Sequence, residues 1–355
     1  MDAPTSKWNS MQASVDVIIV NYNGRHFLQD CLPSLGAQTF RDFETFVVDN
    51  GSTDDSVQFV RVNFPWVRVI ALEQNLGFSG GNNFAIKKTT GEFIALLNND
   101  TVVEPSWLEE LMQAMRARPD AGICASRILY IAQPGILYAA GDSYTAYGSA
   151  FRRGDKEPIA GRFEQAGEVF SACACAALYR RSMLEEVGLF DEDFFSNCED
   201  VDIGFRARLA GYVCLYWPQA IVYHHGSGTT GIGNARVEFL TSRNFEYVFF
   251  KNVPLPLLLR YLPFHVLHAV WTLLKRSRAG LGVPYLKGKI AFLANLRSTL
   301  RKRAVVQKMR RMPAGQLLMA MDSGVFPKFI FKFKLLWPRS RRTVKRSSEG
   351  VHRLD

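Results

Sequence analysis

Two kinds of apolar pattern alternate along the first part of the chain. Val15–Val20 is a run dominated by Val and Ile, as expected of a strand buried on both faces, and Asn21-Tyr22-Asn23-Gly24 breaks it. A helical pattern follows from about Arg25 to Leu35. Phe43–Val48 is the next apolar run and stops at Asp49-Asn50-Gly51-Ser52. Ser56–Asn63 predicts a helix and Val67–Leu72 a third strand. The Gly/Asn-rich stretch Asn75–Asn83 reads as a loop before another helix, then Phe93–Leu97 ends at Asn98-Asn99-Asp100. Strands alternating with helices predict an α/β fold, a mainly parallel sheet with helices on both faces. In such sheets ligands bind beyond the carboxyl ends of the strands. All of these runs except Val67–Leu72 end in Asn, Asp or Gly at that edge.

Residues 102–165 show little periodicity, apart from a helix over Pro105–Arg116 with Pro in its opening turn. Ser171–Tyr179 predicts a strand. Phe190–Ala210 passes from an acidic loop into a helix, and Tyr212–Trp217 and Ala220–Tyr223 read as extended. Gly226–Gly233, with four glycines in eight residues, predicts a mobile lid. Beyond Glu238 the texture changes. Val253–Leu274 is strongly apolar but interrupted by Arg260, His265, His268 and three prolines, so it is long enough to span a bilayer yet poorly composed for it. Lys275–Arg311 mixes apolar and basic residues at near-helical spacing, and Phe326–Trp337 repeats the mixture. Apolar faces bordered by Lys and Arg suit an interfacial helix on anionic lipid; a helical subdomain with a solvated basic face is the alternative. The expected organisation is a flexible N-terminus over 1–13, a catalytic domain over 14–250 and a basic amphipathic helical region over 251–355.

Composition sharpens this division. An apolar fraction of 48% with 21% charged residues in 355 excludes a mainly disordered chain. The net charge of +10 is split, at −10 over residues 1–235 and +20 over 236–355. That asymmetry argues against a uniform nucleic-acid coat, and no nucleic-acid recognition motif accompanies the basic segment. The six cysteines form no CxxC pairs, Cys173 and Cys175 read as small core residues, and the N-terminus lacks a signal-peptide layout. A cytoplasmic location is expected, peripheral on the inner face of the membrane.

The acidic stops carry the candidate chemistry. Asp49 at a sheet edge can accept from a ribose hydroxyl or a base N–H, or it can cap a turn. Asp100, directly after a buried strand, can hold a divalent cation that bridges phosphates, or cap the next helix. Glu199, Asp200 and Asp202 crowd one helix start, where a carboxylate can act as general base. His224-His225 ends a strand beside flexible glycine and offers a ligand. A nucleotidyltransferase would want a Gly/Lys-rich phosphate loop that NYNGRHFLQD lacks, and a non-catalytic glycan- or lipid-binding protein would need no ordered carboxylates.

Taken in order, VDVIIVNYNG, FVVDNGSTDDS, NLGFSGGNN, LLNNDT, the CEDVD helix and VYHHGSG resemble the glycosyltransferase family 2 pattern over roughly residues 14–250, in its rhamnosyltransferase-like subgroup of bacterial cell-surface polysaccharide synthesis. The resemblance implies a GT-A fold that binds a nucleotide-diphosphate sugar and a divalent cation, Mn2+ or Mg2+. It implies Asn21, Asn23, Asp49, Asn75, Gly77, Asn82, Asn83 and Asn99 around the nucleotide. Arg243, in TSRN after the glycine loop, can close over the pyrophosphate or form a surface ion pair. Asp100 and His224, with His225 as the alternative, would be metal ligands; Asn98 and Asn99 replace acids found there in many relatives. Asp200 would be the catalytic base, with Glu199 beside it. The implied activity is inverting transfer, of L-rhamnose from dTDP-rhamnose in the subgroup, to a glycan or lipid-linked glycan acceptor. A UDP-hexose or UDP-galactofuranose donor is the alternative.

Overall fold

The computed structural model describes residues 14–226 and 234–322. The expected N-terminal segment 1–13, most of the glycine loop and the Phe326–Trp337 repeat lie outside them. The early apolar pattern becomes β1 (Val15–Asn21), α1 (Arg25–Gly36), β2 (Phe43–Asp49), α2 (Ser56–Asn63), β3 (Arg68–Ala71) and β4 (Phe93–Leu97). β4 is buried throughout and β1 nearly so, which is why neither alternates polar with apolar residues. β1 lies between β2 and β4, and β3 extends β2, all parallel.

One early element differs from expectation. Most of the Gly/Asn run is not a loop: α3 (Gly77–Ile86) takes in all of it but Asn75 and Leu76. Each interior glycine costs a helix about 1 kcal/mol against alanine, yet a side chain at two of these positions would crowd its neighbours. A Cβ on Gly81 would lie 3.0 Å from Val20, and one on Gly80 2.7 Å from the Leu76 Cβ. Packing overrides propensity here.

The stretch that showed little periodicity holds β5 (Thr101–Val103), α4 (Trp107–Ala117), β6 (Ala121–Tyr130), β7 (Gln133–Ala139) and a small hairpin of β8 (Asp142–Tyr144) and β9 (Ala150–Arg152). Then come β10 (Gly167–Val169), β11 (Ala176–Arg180), α5 (Arg181–Val187), α6 (Glu199–Leu209) and β12 (Val213–His224). The two extended runs expected near residue 220 are one strand, β12, with an irregularity between Trp217 and Ile221. The sheet order is β10-β12-β6-β11-β4-β1-β2-β3. β11 is antiparallel to both neighbours, and β12 is parallel to β6. Hence β12, β6, β4, β1, β2 and β3 all point one way, and their carboxyl ends form a single edge. Leu28, Leu32 and Trp107 of α1 and α4 pack one face; Ile86, Met183 and Ile203 of α3, α5 and α6 pack the other.

The basic region is more tightly joined to the sheet domain than its composition suggests. α7 (Ala235–Asn252), α8 (Leu255–Arg278), α9 (Gly282–Ala294), α10 (Leu296–Lys308) and α11 (Ala314–Ala320) build a third core with Phe194, Phe205 and Leu209. The boundary expected at 250 falls inside α7, because Tyr247, Phe249 and Val253 are buried in that shared core.

Candidate active site

The parallel register brings the strand ends together. Asn21 pairs in register with Asp49, and its Nδ2 donates to Asp49 Oδ1 at 3.3 Å while its Oδ1 accepts from Asn99 Nδ2 at 2.8 Å. Asp49 Oδ2 accepts from the Ser52 N–H at 3.0 Å, and Asn23 Oδ1 accepts from the Thr53 N–H at 2.8 Å. All three members of the Asn21–Asp49–Asn99 chain are nearly fully buried. Gly24 is needed beside them, since a Cβ there would sit 2.1 Å from Asn99 Nδ2. Next along the edge, Asn75 Oδ1 accepts from the Gly77 N–H at 2.8 Å and from Asn50 Nδ2 at 3.1 Å. Asn50, whose only sequence signal was its place after Asp49, is buried and also accepts from the Leu76 N–H.

β5 leaves the end of β4 and crosses to pair antiparallel with β12, Thr101 opposite His224. This sets Asp100 Oδ1 3.1 Å from His224 Nε2, with both side chains almost completely buried. The contact lacks hydrogen-bond alignment, and neither ring nitrogen of His224 has a hydrogen-bond partner. Buried polar atoms are normally satisfied, so an unpartnered Nε2 set beside a carboxylate suits a divalent cation between them. No third His, Cys, Asp or Glu joins them among the described residues. Two protein ligands suit a hard divalent cation whose remaining positions go to phosphate and water. His225 is exposed, its ring 5.2 Å from that of Phe27.

Asp200 lies at the start of α6, half-buried. Its Oδ2 accepts from the Ala174 N–H at 3.2 Å and its Oδ1 from the Val201 N–H at 2.8 Å. One residue on, the Cys175 carbonyl accepts from the Asn98 N–H at 2.8 Å. Residues 174–175 therefore tie Asp200 to the end of the strand that carries Asp100. Burial raises the Asp200 carboxyl above its ordinary range, and the Ala174 and Val201 N–H groups partly oppose the rise. Burial and the neighbouring Asp200 push Glu199 far above the usual glutamate range, and its Oε2 has no hydrogen-bond partner. The buried Asp142, on the β8–β9 hairpin, is raised by burial and by Asp200. Its segment gave no sequence signal.

The loop leading to Asp200 is strained, with positive φ at Phe195, Asn197 and Cys198. α7 holds it there. The buried Asn244 Nδ2 donates to the carbonyls of Phe194, Ser196 and Asn197 at 3.0, 2.9 and 2.7 Å. The Arg243 guanidinium donates to the carbonyls of Asp193 and Phe194. The structure thus places Arg243 as a brace of this loop rather than over the nucleotide edge. Asn83 is likewise turned to structure: its side chain accepts from the Phe190 N–H and donates to the Phe190 carbonyl. Asn82 Nδ2 donates back to Phe78 in its own helix. Gly77 has φ +74°, and a Cβ there would lie 2.3 Å from the Phe195 carbonyl oxygen, so it admits the strained loop.

The family model for Glycosyl transferase family 2 matches residues 16–188, from β1 to the end of α5. Over 242 residues the chain is 28% identical to N-acetylglucosaminyl-diphospho-decaprenol L-rhamnosyltransferase of Mycobacterium tuberculosis, covering 61% of this chain and 77% of that one. It is 31% identical over 223 residues to the O-antigen biosynthesis protein RfbC of Myxococcus xanthus, covering 60% of this chain but only 17% of that longer protein. The mannosyltransferase PcManGT from Pyrobaculum calidifontis, solved in complex with GDP-Man and Mn2+, has a TM-score of 0.51 at 16% identity, over 86% of this chain and 89% of that one. At that identity the likeness is one of fold. The ordered polar edge, the mixed sheet and the family match together place residues 16–188 in Glycosyl transferase family 2, on a fold of the GT-A kind.

Proposed function

We propose that the chain transfers a sugar, L-rhamnose from dTDP-rhamnose as the leading donor, onto a hydroxyl of a glycan or lipid-linked glycan, with inversion at the anomeric carbon. The observation that carries this reading is the tie through Ala174 and Cys175, which links Asp200 to the end of β4, from which Asp100 reaches His224 of β12. The relatives' named activities, L-rhamnosyl transfer and O-antigen biosynthesis, favour this donor and an acceptor of the cell-surface glycan class. That all six cysteines are free favours a reducing, cytoplasmic setting at the membrane surface.

Each group has a role that its geometry suits. The Asn21–Asp49–Asn99 chain offers a rigid, buried set of acceptors and donors to the nucleoside, and Asn23 and Asn75 flank it. Asp100 Oδ1 and His224 Nε2 would hold the divalent cation, Mn2+ or Mg2+, which supplies Lewis-acid neutralisation of the diphosphate leaving group. Asp200 accepts the proton of the acceptor hydroxyl on the face of the sugar opposite the diphosphate. Its raised carboxyl makes it a stronger base than an ordinary aspartate. Burial and the neighbouring Asp200 both favour the neutral form of Glu199, which limits negative charge beside that oxygen. In-line attack with one base is a single displacement, and it inverts the configuration.

Calorimetric titration with dTDP and UDP, with and without Mn2+ or Mg2+, tests this reading on the wild type and on Asp100→Ala. Cation-dependent binding of dTDP, weakened by the substitution, is the expected result. Preference for UDP would move the donor to a UDP-hexose or UDP-galactofuranose. Failure to bind either nucleotide under any condition would remove the reading.

A further inference from the structure

The described helices carry an apolar face that no other described residue covers. On α8, Leu255, Leu259, Val266, Val270, Trp271 and Leu274 are exposed, Leu259 by 62%. Most recur at three- or four-residue steps, or a multiple of them, which makes one stripe of the helix. On α9, Val283, Leu286, Ile290 and Leu293 form a second stripe, with Val283 67% and Leu293 62% exposed. The helices adjoin through the short turn at Gly280 and pack against each other. Apolar patches of this extent are uncommon on the free surface of a soluble protein.

Charge identifies the partner. Between Glu246 and Asp322 the sequence has no acidic residue and fourteen Lys or Arg. Several turn inward, such as Lys251, Lys289 and Lys302 in their salt bridges. Arg260, Lys275, Arg278, Lys287, Arg297 and Arg301 are exposed around the two stripes. An apolar strip bordered by cations, with no local carboxylate to neutralise them, is complementary to an anionic lipid surface.

Length and composition would let α8 cross a bilayer, but its anchoring excludes that. One side is fixed to the protein at three levels. Leu257 and Leu258 are buried near its start. At mid-length, His265 Nδ1 lies 2.9 Å from the Tyr147 carbonyl oxygen and its Nε2 2.8 Å from Glu246 Oε2. Near the end, Arg276 pairs with Glu238 at 3.0 Å. A helix held along its whole length by a folded domain can present only its opposite side to lipid.

We propose that α8 and α9 lie flat on an anionic bilayer, their apolar stripes in the headgroup region and the surrounding Lys and Arg on its phosphates. The proposal rests on the transferase reading only for its purpose, a lipid-borne acceptor. The His265–Tyr147 contact supplies the link: Tyr147 is in the β8–β9 hairpin, and Asp142 of that hairpin bonds to Ser171. Ser171 abuts Gly204, one turn beyond Asp200 on α6. Docking α8 therefore fixes the height of the base-bearing helix above the membrane.

Flotation of the full chain with vesicles of phosphatidylcholine alone, or mixed with phosphatidylglycerol, tests this, with dTDP binding measured on the same samples. The wild type should float with the mixed vesicles only. Val266→Glu/Val270→Glu on α8 and Ile290→Glu/Leu293→Glu on α9 should each lower flotation by about tenfold or more. Val62→Glu, on exposed α2, should not. Nucleotide binding should stay unchanged in all of them. No flotation of a nucleotide-binding wild type would overturn the docking and leave the transferase reading intact. So would flotation unaffected by either pair, which would place the lipid contact elsewhere in the chain. A concentration-dependent dimer that these pairs dissolve, without flotation, would make the face a self-association surface and overturn the proposal too. Flotation without nucleotide binding would support docking and count against the transferase reading alone.

Discussion

At the scale of single residues, the two acids that begin α6 are distinguished by what they touch. Asp200 receives two backbone N–H groups, whereas Glu199 keeps a buried oxygen with none. Both are raised by burial, but only Asp200 is steadied as a carboxylate able to accept a proton. Asp200→Asn keeps the size and one acceptor oxygen and removes the base. Transfer should fall by about 10²–10⁴-fold while nucleotide affinity holds, measured as single-turnover rate against calorimetric Kd. On the proposal that the deprotonated form is the active one, its raised pKa means that activity should be complete above that pKa and fall as pH drops through it. The acid limb should therefore lie above the aspartate value of about 3.9, and Asp200→Asn should abolish it. An unchanged rate in the variant would remove Asp200 from the chemistry.

At the scale of elements, what could be read from the chain was the part written in periodicity. β1, α1, β2, α2 and β4 follow the apolar runs within a residue or two, and the polar stops at Asn21, Asp49 and Asp100 do share an edge. The glycine helix α3 was hidden because its glycines answer to β1 and to Phe195, contacts remote in sequence. β6 was hidden although almost wholly buried, because its polar Ser126 and Arg127 answer to Trp107 and Tyr216, and β7 because it mixes exposed and buried positions. Arg243 and Asn83 looked like ligand residues by position, while their partners are mainly backbone groups, with the Asn244 and Glu192 side chains, that no one-dimensional pattern records. Asn244 was overlooked beside Arg243 for the same reason, although it holds three carbonyls of a strained loop. Asn244→Ala frees all three. At about 1 kcal/mol for each lost bond, it should cost roughly 2–3 kcal/mol in urea unfolding. Its effect should appear in turnover more than in nucleotide Kd, since the loop delivers Asp200 and not the Asn21–Asp49 edge. An equal loss in both would show that the loop supports the whole site.

At the scale of the molecule, a buried ion network fastens the helical region to the catalytic sheet. Lys251 Nζ lies 2.5 Å from Asp191 Oδ2 and 2.9 Å from Asp202 Oδ1. Asp202 also pairs with Arg206, and Lys302 with Asp191 and Asp193. Burial alone would raise Asp191, but Lys251 and Lys302 outweigh it and hold the carboxyl well below the ordinary range. A carboxylate lowered in the fold stabilises the native state above its unfolded pKa of about 3.9 and loses that contribution as pH falls below it. Lys251→Ala leaves Asp191 and Asp202 buried with less compensation and should cost about 3–5 kcal/mol at neutral pH. The difference from wild type should shrink in urea titrations below about pH 4. A difference independent of pH would assign the loss to packing instead.

The crossing of β5 onto β12 has a consequence for how the gene can change. Successive residues of β12 point to opposite sides, so Tyr223 bonds outward to Glu104, His224 faces Asp100, and His225 turns away again. The irregularity at Trp217–Ile221 sets that phase, because residues 218–220 have no partners on β6. A one-codon deletion between that bulge and His224 would move His225 opposite Asp100 and keep an imidazole there. A one-codon insertion would move Tyr223 there and put a phenol in its place. The doubled histidine thus makes the strand tolerant of shortening and intolerant of lengthening, an asymmetry open to direct reading in a library of single-codon insertions and deletions selected for activity.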